Sequence, residues 1–327
     1  MAASVFVTKC EGVPGPVSYL VRIGFIKEAD SDLKQDKGEA VMPEVALITV
    51  HGMGDTKRDY ADALLGRVRS KLGPTLYGRV HTGSVYYQHI LQANQQLVWQ
   101  RVHEQARIHY DELRRFVLFG LGDAAGLENR KEDPGSVYEL AQGEIARTLL
   151  AAHAANPEMP VVFLSQSLGC QVLSSYIYDA QKAGAGGRVH AGVWKNIDAW
   201  SSAALGRVLS ASERDFLSAG TCMGWITTGC NIPVFVAAHK EMHIIPIAPP
   251  TPLFRWINIY DPDDVLGWPL RPLSAGYREL VEDRAINAGQ GVVNWMLKSW
   301  NPLSHENYWS DDQVLEPLSA MLRRLAG

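Results

Sequence analysis

Val161-Val162-Phe163-Leu164-Ser165-Gln166-Ser167-Leu168-Gly169-Cys170-Gln171-Val172 is the stretch on which the reading of this chain turns. Val161 to Leu164 reads as a strand, Ser165 to Gly169 as a tight turn, and Cys170 to Ala183 as a helix that stops in the glycines of Gly184-Ala185-Gly186-Gly187. A serine hydroxyl is a weak nucleophile until a base takes its proton, and acyl transfer also needs donors aimed at the oxygen that becomes negative. A sharp strand-to-helix turn serves both needs. It lifts one side chain out of the sheet, and it points the next backbone N–H, at the helix N-terminus, towards the developing oxyanion. Ser167 stands at the apex, and the N–H of Leu168 is the donor that follows it. Such an apex needs small neighbours. Gly169 supplies one, and Ser165 stands where the other belongs, which leaves Ser165 as a rival nucleophile. Ser167 is preferred because it has a small residue two places on, at the helix start.

Outward from this turn the chain alternates strand and helix. Val45 to Val50 is a short, continuous apolar run, as expected of a strand covered on both faces, and it leads directly into His51-Gly52-Met53-Gly54. Asp59 to Leu72 has helical spacing and Val80 to Tyr87 reads as a strand, so the three make a βαβ unit. One long amphipathic helix is expected from Ile90 to Phe119, a loop from Gly120 to Pro134, and a helix from Val137 to Ala155. Residues 184 to 222 read as irregular or weakly helical. Gly224 to Thr228, Pro233 to Ala237 and Arg255 to Tyr260 look extended, Leu280 to Ile286 is a last strand, and Asp311 to Leu325 is a closing helix. Upstream, Ser4 to Thr8 and Ser18 to Phe25 look like two strands separated by a turn at Gly12 to Pro16. The fold class is therefore α/β, a mostly parallel central sheet flanked by helices. A single domain over 1–327 is expected, with 90–135 and 184–222 as insertions or caps over the site.

Composition narrows the functions. The chain has 327 residues, 46% of them hydrophobic and 20% charged, enough for a full core. Thirty-one Lys and Arg against 35 Asp and Glu give a net charge of -4 without a basic block, so nucleic acid is not expected as a partner. Cys10, Cys170, Cys222 and Cys230 lack the close pairs of a zinc or redox site and read as reduced thiols. Lys9, Glu11 and two prolines interrupt the N-terminal region where a signal peptide would be apolar, and no apolar run reaches about 18 residues. A cytoplasmic protein without a transmembrane segment is expected, with contact at a membrane surface left open.

These motifs resemble the α/β-hydrolase superfamily, whose nucleophile turn reads G-x-S-x-G; the chain departs from it at Ser165. The resemblance implies that His51-Gly52-Met53-Gly54 is the H-G-x-G segment after the third strand, so that the N–H of Met53 joins that of Leu168 in an oxyanion hole. It also implies a triad in the order Ser, Asp, His. Asp261, Asp263 and Asp264 all follow a strand. Asp264 to Leu273 resembles the D-P-V-A-Y-R-x-x-P-L segment of intracellular phospholipases A1, which selects Asp264, with Asp263 and then Asp261 behind it. Ser304-His305-Glu306-Asn307-Tyr308-Trp309 resembles the H-x-x-Y-W loop of lipase-like enzymes, which makes His305 the base, its tautomer fixed by Asp264. Gly229-Cys230-Asn231-Ile232-Pro233 resembles the G-S-P-L turn of lipases. By the same resemblance His51, Gly52, Gly54, Gln166, Cys230 and Trp268 border the substrate.

His239 and His243 have the i, i+4 spacing of metal ligands, but the order is not H-E-x-x-H and Ile244-Ile245-Pro246 follows, so no metal is expected. The expected activity is hydrolysis of a carboxylic ester with a lipid-like or otherwise apolar acyl group, through an acyl-serine and without a cofactor. Two alternatives stand beside it: an acyltransferase using the same acyl-enzyme, and a scaffold that binds a lipid or protein without turnover. The oligomeric state is not readable from the chain.

Overall fold

The computed structural model describes residues 4–7, 21–24, 42–238, 244–287 and 308–327, and the chain divides into two units, Met1–Ala40 and Val41–Gly327. In the first, β1 (Ser4–Val7) and β2 (Val21–Gly24) pair antiparallel, with Ser4 opposite Gly24 and Val7 opposite Val21.

The second unit is built on a six-stranded sheet: β3 (Val45–Val50), β4 (Val80–Val85), β5 (Val161–Gln166), β6 (Cys222–Thr228), β7 (Arg255–Tyr260) and β8 (Val281–Ala285). The spatial order is β4-β3-β5-β6-β7-β8, and each neighbouring pair is parallel. From β3 the chain steps outward to β4, whereas from β5 it steps the other way. The direction therefore reverses between β3 and β5, and in an open parallel sheet the crevice for a ligand opens at the carboxyl ends of the strands at such a reversal. Those ends carry His51 to Gly54 and Ser167.

Helices cover both faces: α1 (Asp62–Leu72), α2 (Pro74–Tyr77), α3 (His89–Gln105), α4 (Asp111–Glu128), α5 (Val137–Ala155), α6 (Leu168–Gly184), α7 (Ile197–Leu205), α8 (Ala211–Leu217), α9 (Ile232–Ala237), α10 (Ala275–Leu280) and α11 (Asp312–Ala326). Alternate side chains of one strand point to opposite faces. Val45 and Leu47 accordingly join Leu64 and Val68 of α1 and Leu318 and Leu322 of α11 in one core. Ala46, Ile48 and Val50 join Ile145 and Leu149 of α5 and Leu173 and Ile177 of α6 in the other. This bears out the expected α/β-hydrolase-like architecture, and it explains why β3 is buried throughout and apolar except at Thr49.

Several elements differ from the sequence reading. The helix expected from Ile90 to Phe119 is two, α3 and α4, divided at Tyr110, which takes the left-handed conformation at φ 64°. Of the loop expected from Gly120 to Pro134, residues 120–128 form the second half of α4. Its glycines are places of close approach, since a Cβ at Gly120 would lie 2.7 Å from Met53 Sδ and one at Gly126 would lie 2.6 Å from Leu91 Cδ1. Pro233 to Ala237 is helical, with Pro233 in the first turn of α9, where its missing N–H costs nothing. In 184–222 two capped helices appear. Asn196 accepts from the Ala199 N–H to start α7, and Ser210 and Glu213 form a capping box at α8.

Candidate active site

Ser167 has φ 51° and ψ -123°, a conformation costing an L-residue about 1–3 kcal/mol. Its surroundings impose that backbone. The Ser167 N–H donates to the Thr228 carbonyl at the end of β6 (2.9 Å), and the Cys170 N–H donates to the Ser167 carbonyl (3.0 Å). Gly169 lets α6 start against the end of β3, because a Cβ there would run into the His51 carbonyl oxygen and come within 2.7 Å of that of Val50. The Ser167 side chain is 1% exposed, and its hydroxyl oxygen is among the buried polar atoms without a hydrogen-bond partner among the described residues. Leu168 is the first residue of α6, so its N–H lies at the positive end of that helix. Ser165 is different. It is fully buried, accepts a hydrogen bond from Trp225 Nε1 (2.8 Å) and donates to Cys170 Sγ (3.2 Å), so its hydroxyl is turned into the core.

The second glycine-rich segment meets the first. A Cβ on Gly52 would stand 2.8 Å from Ser167 Cβ and 3.6 Å from Ser167 Oγ. His51 anchors this loop. Its Nδ1–H donates to the Gly52 carbonyl (2.7 Å) and its Nε2 accepts from the Tyr87 N–H (3.2 Å), which fixes the neutral Nδ1–H tautomer. Burial pushes its pKa down to about 4. The ring stacks on Tyr87 at 4.1 Å, and the Tyr87 hydroxyl donates to the His51 carbonyl. Both ring nitrogens are thus spent on the fold. Gly54, at φ 112°, donates its N–H to Asp123 Oδ2 of α4 (3.0 Å). Asp123 is 3% exposed, and burial raises its pKa to about 6 against hydrogen bonds from Gln95, Gly54 and Gln88.

Of the three candidate acids, Asp263 is exposed while Asp261 and Asp264 are buried. Asp264 Oδ2 accepts from the Tyr308 hydroxyl (2.9 Å) and Oδ1 accepts from the Leu266 N–H (2.9 Å). Asp261 Oδ1 instead accepts from the Asp263 N–H, closing a local turn. The Tyr308 oxygen in turn accepts from the Asp261 N–H (2.8 Å), and burial and the Asp264 carboxylate both raise its pKa. Gly267 makes room for this arrangement, because a Cβ there would be 2.5 Å from Asp264 Oδ2. Trp309, next along, donates from Nε1 to Thr228 Oγ1, and Thr228 also receives the Ser167 N–H on its carbonyl. His305 lies outside the described residues, as do His239, His243 and Cys10.

A cleft of about 470 Å³ opens beside Ser167, bordered by His51, Gly52, Met53, Gln166, Tyr60, Phe116 and Trp309. Three of the expected border residues, Gly54, Cys230 and Trp268, are not among those that line this cleft. Cys230 is fully buried, and Trp268, 44% exposed, donates its N–H to the Cys230 carbonyl away from the cleft. The reason lies in the turn after β6, where Gly229 takes φ 51° and Cys230 goes into the core. Burial pushes the Cys222 thiol up to about 12 and raises that of Cys230 as well, so neither is poised as a nucleophile. Residues 184–222 contribute nothing to the cleft border; α8 packs on α5 instead. Phe116, Tyr60, Tyr308 and Asp123 are site residues that the sequence reading passed over. Tyr308 stood within a quoted motif, whereas Asp123 was hidden among glycines read as a loop. Among the described residues no group of three His, Cys, Asp or Glu side chains gathers as a metal site, and no helix is long and apolar enough to cross a membrane.

No family model and no curated protein matches the chain. Solved structures similar to it include the catalytic core domain of acetyl xylan esterase from Trichoderma reesei, at 10% identity and TM-score 0.39 over 87% of this chain and 99% of that one. A cutinase-like protein from Cryptococcus sp. is similar at 9% identity and TM-score 0.36, over 88% of this chain and 98% of its own. The esterase domain of a Rhodothermus marinus protein is similar at 11% identity and TM-score 0.36, over the whole of both chains. Likeness at this level bears on neither chemistry nor substrate, which have to be argued from the cleft itself.

Proposed function

We propose that the chain is a serine hydrolase that cleaves carboxylic esters through an acyl-Ser167 intermediate. The observation that carries this is the strained Ser167, its hydroxyl buried, unpartnered among the described residues and pressed against Gly52 at the reversal point of a parallel sheet. Strain of this kind persists where the surrounding structure over-determines it, and it clusters at active sites. In the proposed reaction Ser167 Oγ attacks the ester carbonyl while His305 takes its proton. The N–H groups of Met53 and Leu168 hold the oxyanion, and the tetrahedral species collapses as His305 returns the proton to the departing alcohol. Water, deprotonated by the same imidazole, then releases the acid and frees Ser167. Asp264 keeps the imidazole in the required tautomer. Support for pairing His305 with Asp264 comes from Tyr308, three residues along the chain from His305 and hydrogen-bonded to Asp264.

An apolar acyl group is the proposed substrate class. Phe116 of α4 borders the cleft, and Leu113 and Val117 of the same helix line a groove of about 460 Å³ with Val98, Trp99 and Val102 of α3. Arg115 joins the two, pairing with Asp55 at the cleft lip and lying over Trp99. The α3–α4 pair, residues 89–128, is thus the proposed cap, in place of the expected 90–135. A fluorophosphonate probe is expected to label the wild type and Ser165→Ala but not Ser167→Ala. A series of p-nitrophenyl esters is expected to show turnover rising with chain length. Labelling that survives in Ser167→Ala would overturn the assignment, and a wild type that never labels would turn the reading towards a binding scaffold.

A further inference from the structure

The loop of Gly52 to Gly54 is held on one side by His51 and on the other by a buried polar cluster between α3 and α4. Asp123 of α4 is the centre of that cluster. Its Oδ2 accepts from the Gly54 N–H (3.0 Å), while Oδ1 accepts from Gln95 Nε2 (2.5 Å) and Gln88 Nε2 (3.3 Å). Gln88, Gln95 and Asp123 are 1%, 6% and 3% exposed. The two amides are themselves oriented: Gln95 Nε2 also donates to the Phe119 carbonyl (3.3 Å), and Gln88 Nε2 donates to Gln95 Oε1 (3.2 Å). Each of the three groups aimed at Asp123 is an N–H donor, and a carboxylate is the side chain that accepts from all of them. One turn earlier on α4, Gly120 leaves the space that the Met53 thioether fills. A buried carboxylate is costly to keep, and no arginine or lysine pairs with this one among the described residues. An apolar side chain here would leave the Gly54 N–H and the two amide N–H groups without this acceptor, so the carboxylate fixes the loop through a hydrogen bond that no apolar contact supplies.

We infer that Asp123 is a positioning residue for ester hydrolysis, setting the backbone of Met53 and Gly54 so that the Met53 N–H meets the oxyanion formed at Ser167. The inference rests on the serine-hydrolase reading. Asp123 touches neither substrate nor Ser167, and it acts through the Gly54 N–H. The chemistry explains why an amide cannot replace it freely. An asparagine would present NH₂ to the Gln95 NH₂, and turning Gln95 over would set its Oε1 against the Phe119 carbonyl. Removing one oxyanion donor lowers turnover by roughly 10²–10³, and displacing one without removing it costs part of that.

The test compares wild type with Asp123→Ala and Asp123→Asn, using a p-nitrophenyl ester and a trifluoromethyl ketone inhibitor, whose Ser-bound hemiketal carries the tetrahedral oxyanion. Active sites are counted first by fluorophosphonate titration, so that misfolded protein is excluded. For Asp123→Ala, kcat per active site is expected to fall roughly 10- to 100-fold, the inhibitor constant to weaken by a similar factor, and KM to stay within about twofold. Asp123→Asn, which keeps one acceptor for Gly54, is expected to fall between the two and serves alone if the alanine variant does not fold. A variant whose kcat per site and inhibitor constant match the wild type would overturn the role of Asp123 while leaving the hydrolase reading intact. A loss confined to the number of active sites would show a purely structural role and overturn it as well. Absence of Ser167 labelling in the wild type would remove the hydrolase reading, and this inference with it.

Discussion

Gly52→Ala puts the contact between the two glycine motifs to its sharpest test. The added Cβ would begin 2.8 Å from Ser167 Cβ and 3.3 Å from the Gln166 carbonyl oxygen, so the loop has to open by about 0.6 Å to reach an ordinary contact of 3.4 Å. Neither neighbour can yield cheaply. Ser167 is held by the Thr228 carbonyl, and Gln166 belongs to the central strand β5. The displacement therefore falls on residues 52 to 54, away from the place where the oxyanion would form. Misplacement of a catalytic group by about 1 Å costs on the order of 10²-fold, so a loss in kcat of roughly 30- to 100-fold is expected. The strain should cost about 1–3 kcal/mol of stability, as for other over-packed positions. The assays are steady-state hydrolysis of a p-nitrophenyl ester, the rate of fluorophosphonate labelling, and urea unfolding. Hydrolysis and labelling should slow together, since negative charge develops on an oxygen beside Ser167 in both, on a tetrahedral carbon in the ester and on a five-coordinate phosphorus in the probe. Wild-type rates in a folded variant would mean that Gly52 does not bear on the reacting oxygen, and the reasoning from this contact would be refuted.

Asp264→Asn is expected to keep the fold and lower kcat on the order of 10³-fold or more, while Asp263→Asn, altering an exposed carboxylate, should stay within about twofold; the reverse pattern would move the acid to Asp263. Tyr308→Phe removes the donor to Asp264 and the acceptor that the Asp261 N–H uses, and should destabilise by about 1–3 kcal/mol, read as a lower urea midpoint at unchanged m-value. The buried pair His51 and Asp123 predicts a compensated acid response. His51, lowered to about 4 from 6.5, gives up stability as pH falls from about 6.5 to 4, because the unfolded chain takes the proton first. Asp123, raised to about 6 from 3.8, has the opposite sign and regains stability over about pH 6 to 4. Each contributes on the order of 3 kcal/mol, so the two nearly cancel. In Asp123→Asn the loss of stability between pH 7 and pH 4 should exceed that of the wild type by roughly that amount; equal pH dependence in chemical denaturation would contradict the assignment.

Much of the architecture was legible because its signals are local. An apolar run covered on both faces, as in Val45 to Val50, reads as a buried parallel strand, and the strand, turn and helix around Ser167 announce themselves by composition. The glycines of α4 misled for a physical reason. A glycine that admits a neighbouring side chain looks in sequence like one that ends a helix, and only the positions of Met53 and Leu91 tell the two apart. The same ambiguity hid Asp123. The caps of α7 and α8 were legible in principle, since Ser210 and Glu213 have the spacing of a capping box. Cys230 was placed on the cleft border by resemblance of its turn, but the left-handed Gly229 sends it inward. The preference for Ser167 over Ser165 came from Gly169, and the backbone of β3 shows why a small residue has to stand there.

Tyr308 and Trp309, which brace Asp264 and Thr228, are made after all six strands of the sheet. A ribosome-bound chain that has paired every strand but has not yet released residues 308–326 from the exit tunnel lacks this bracing. On the proposed reading, a chain that has paired all six strands but not yet exposed residues 308–326 would be inert towards the cell's own esters.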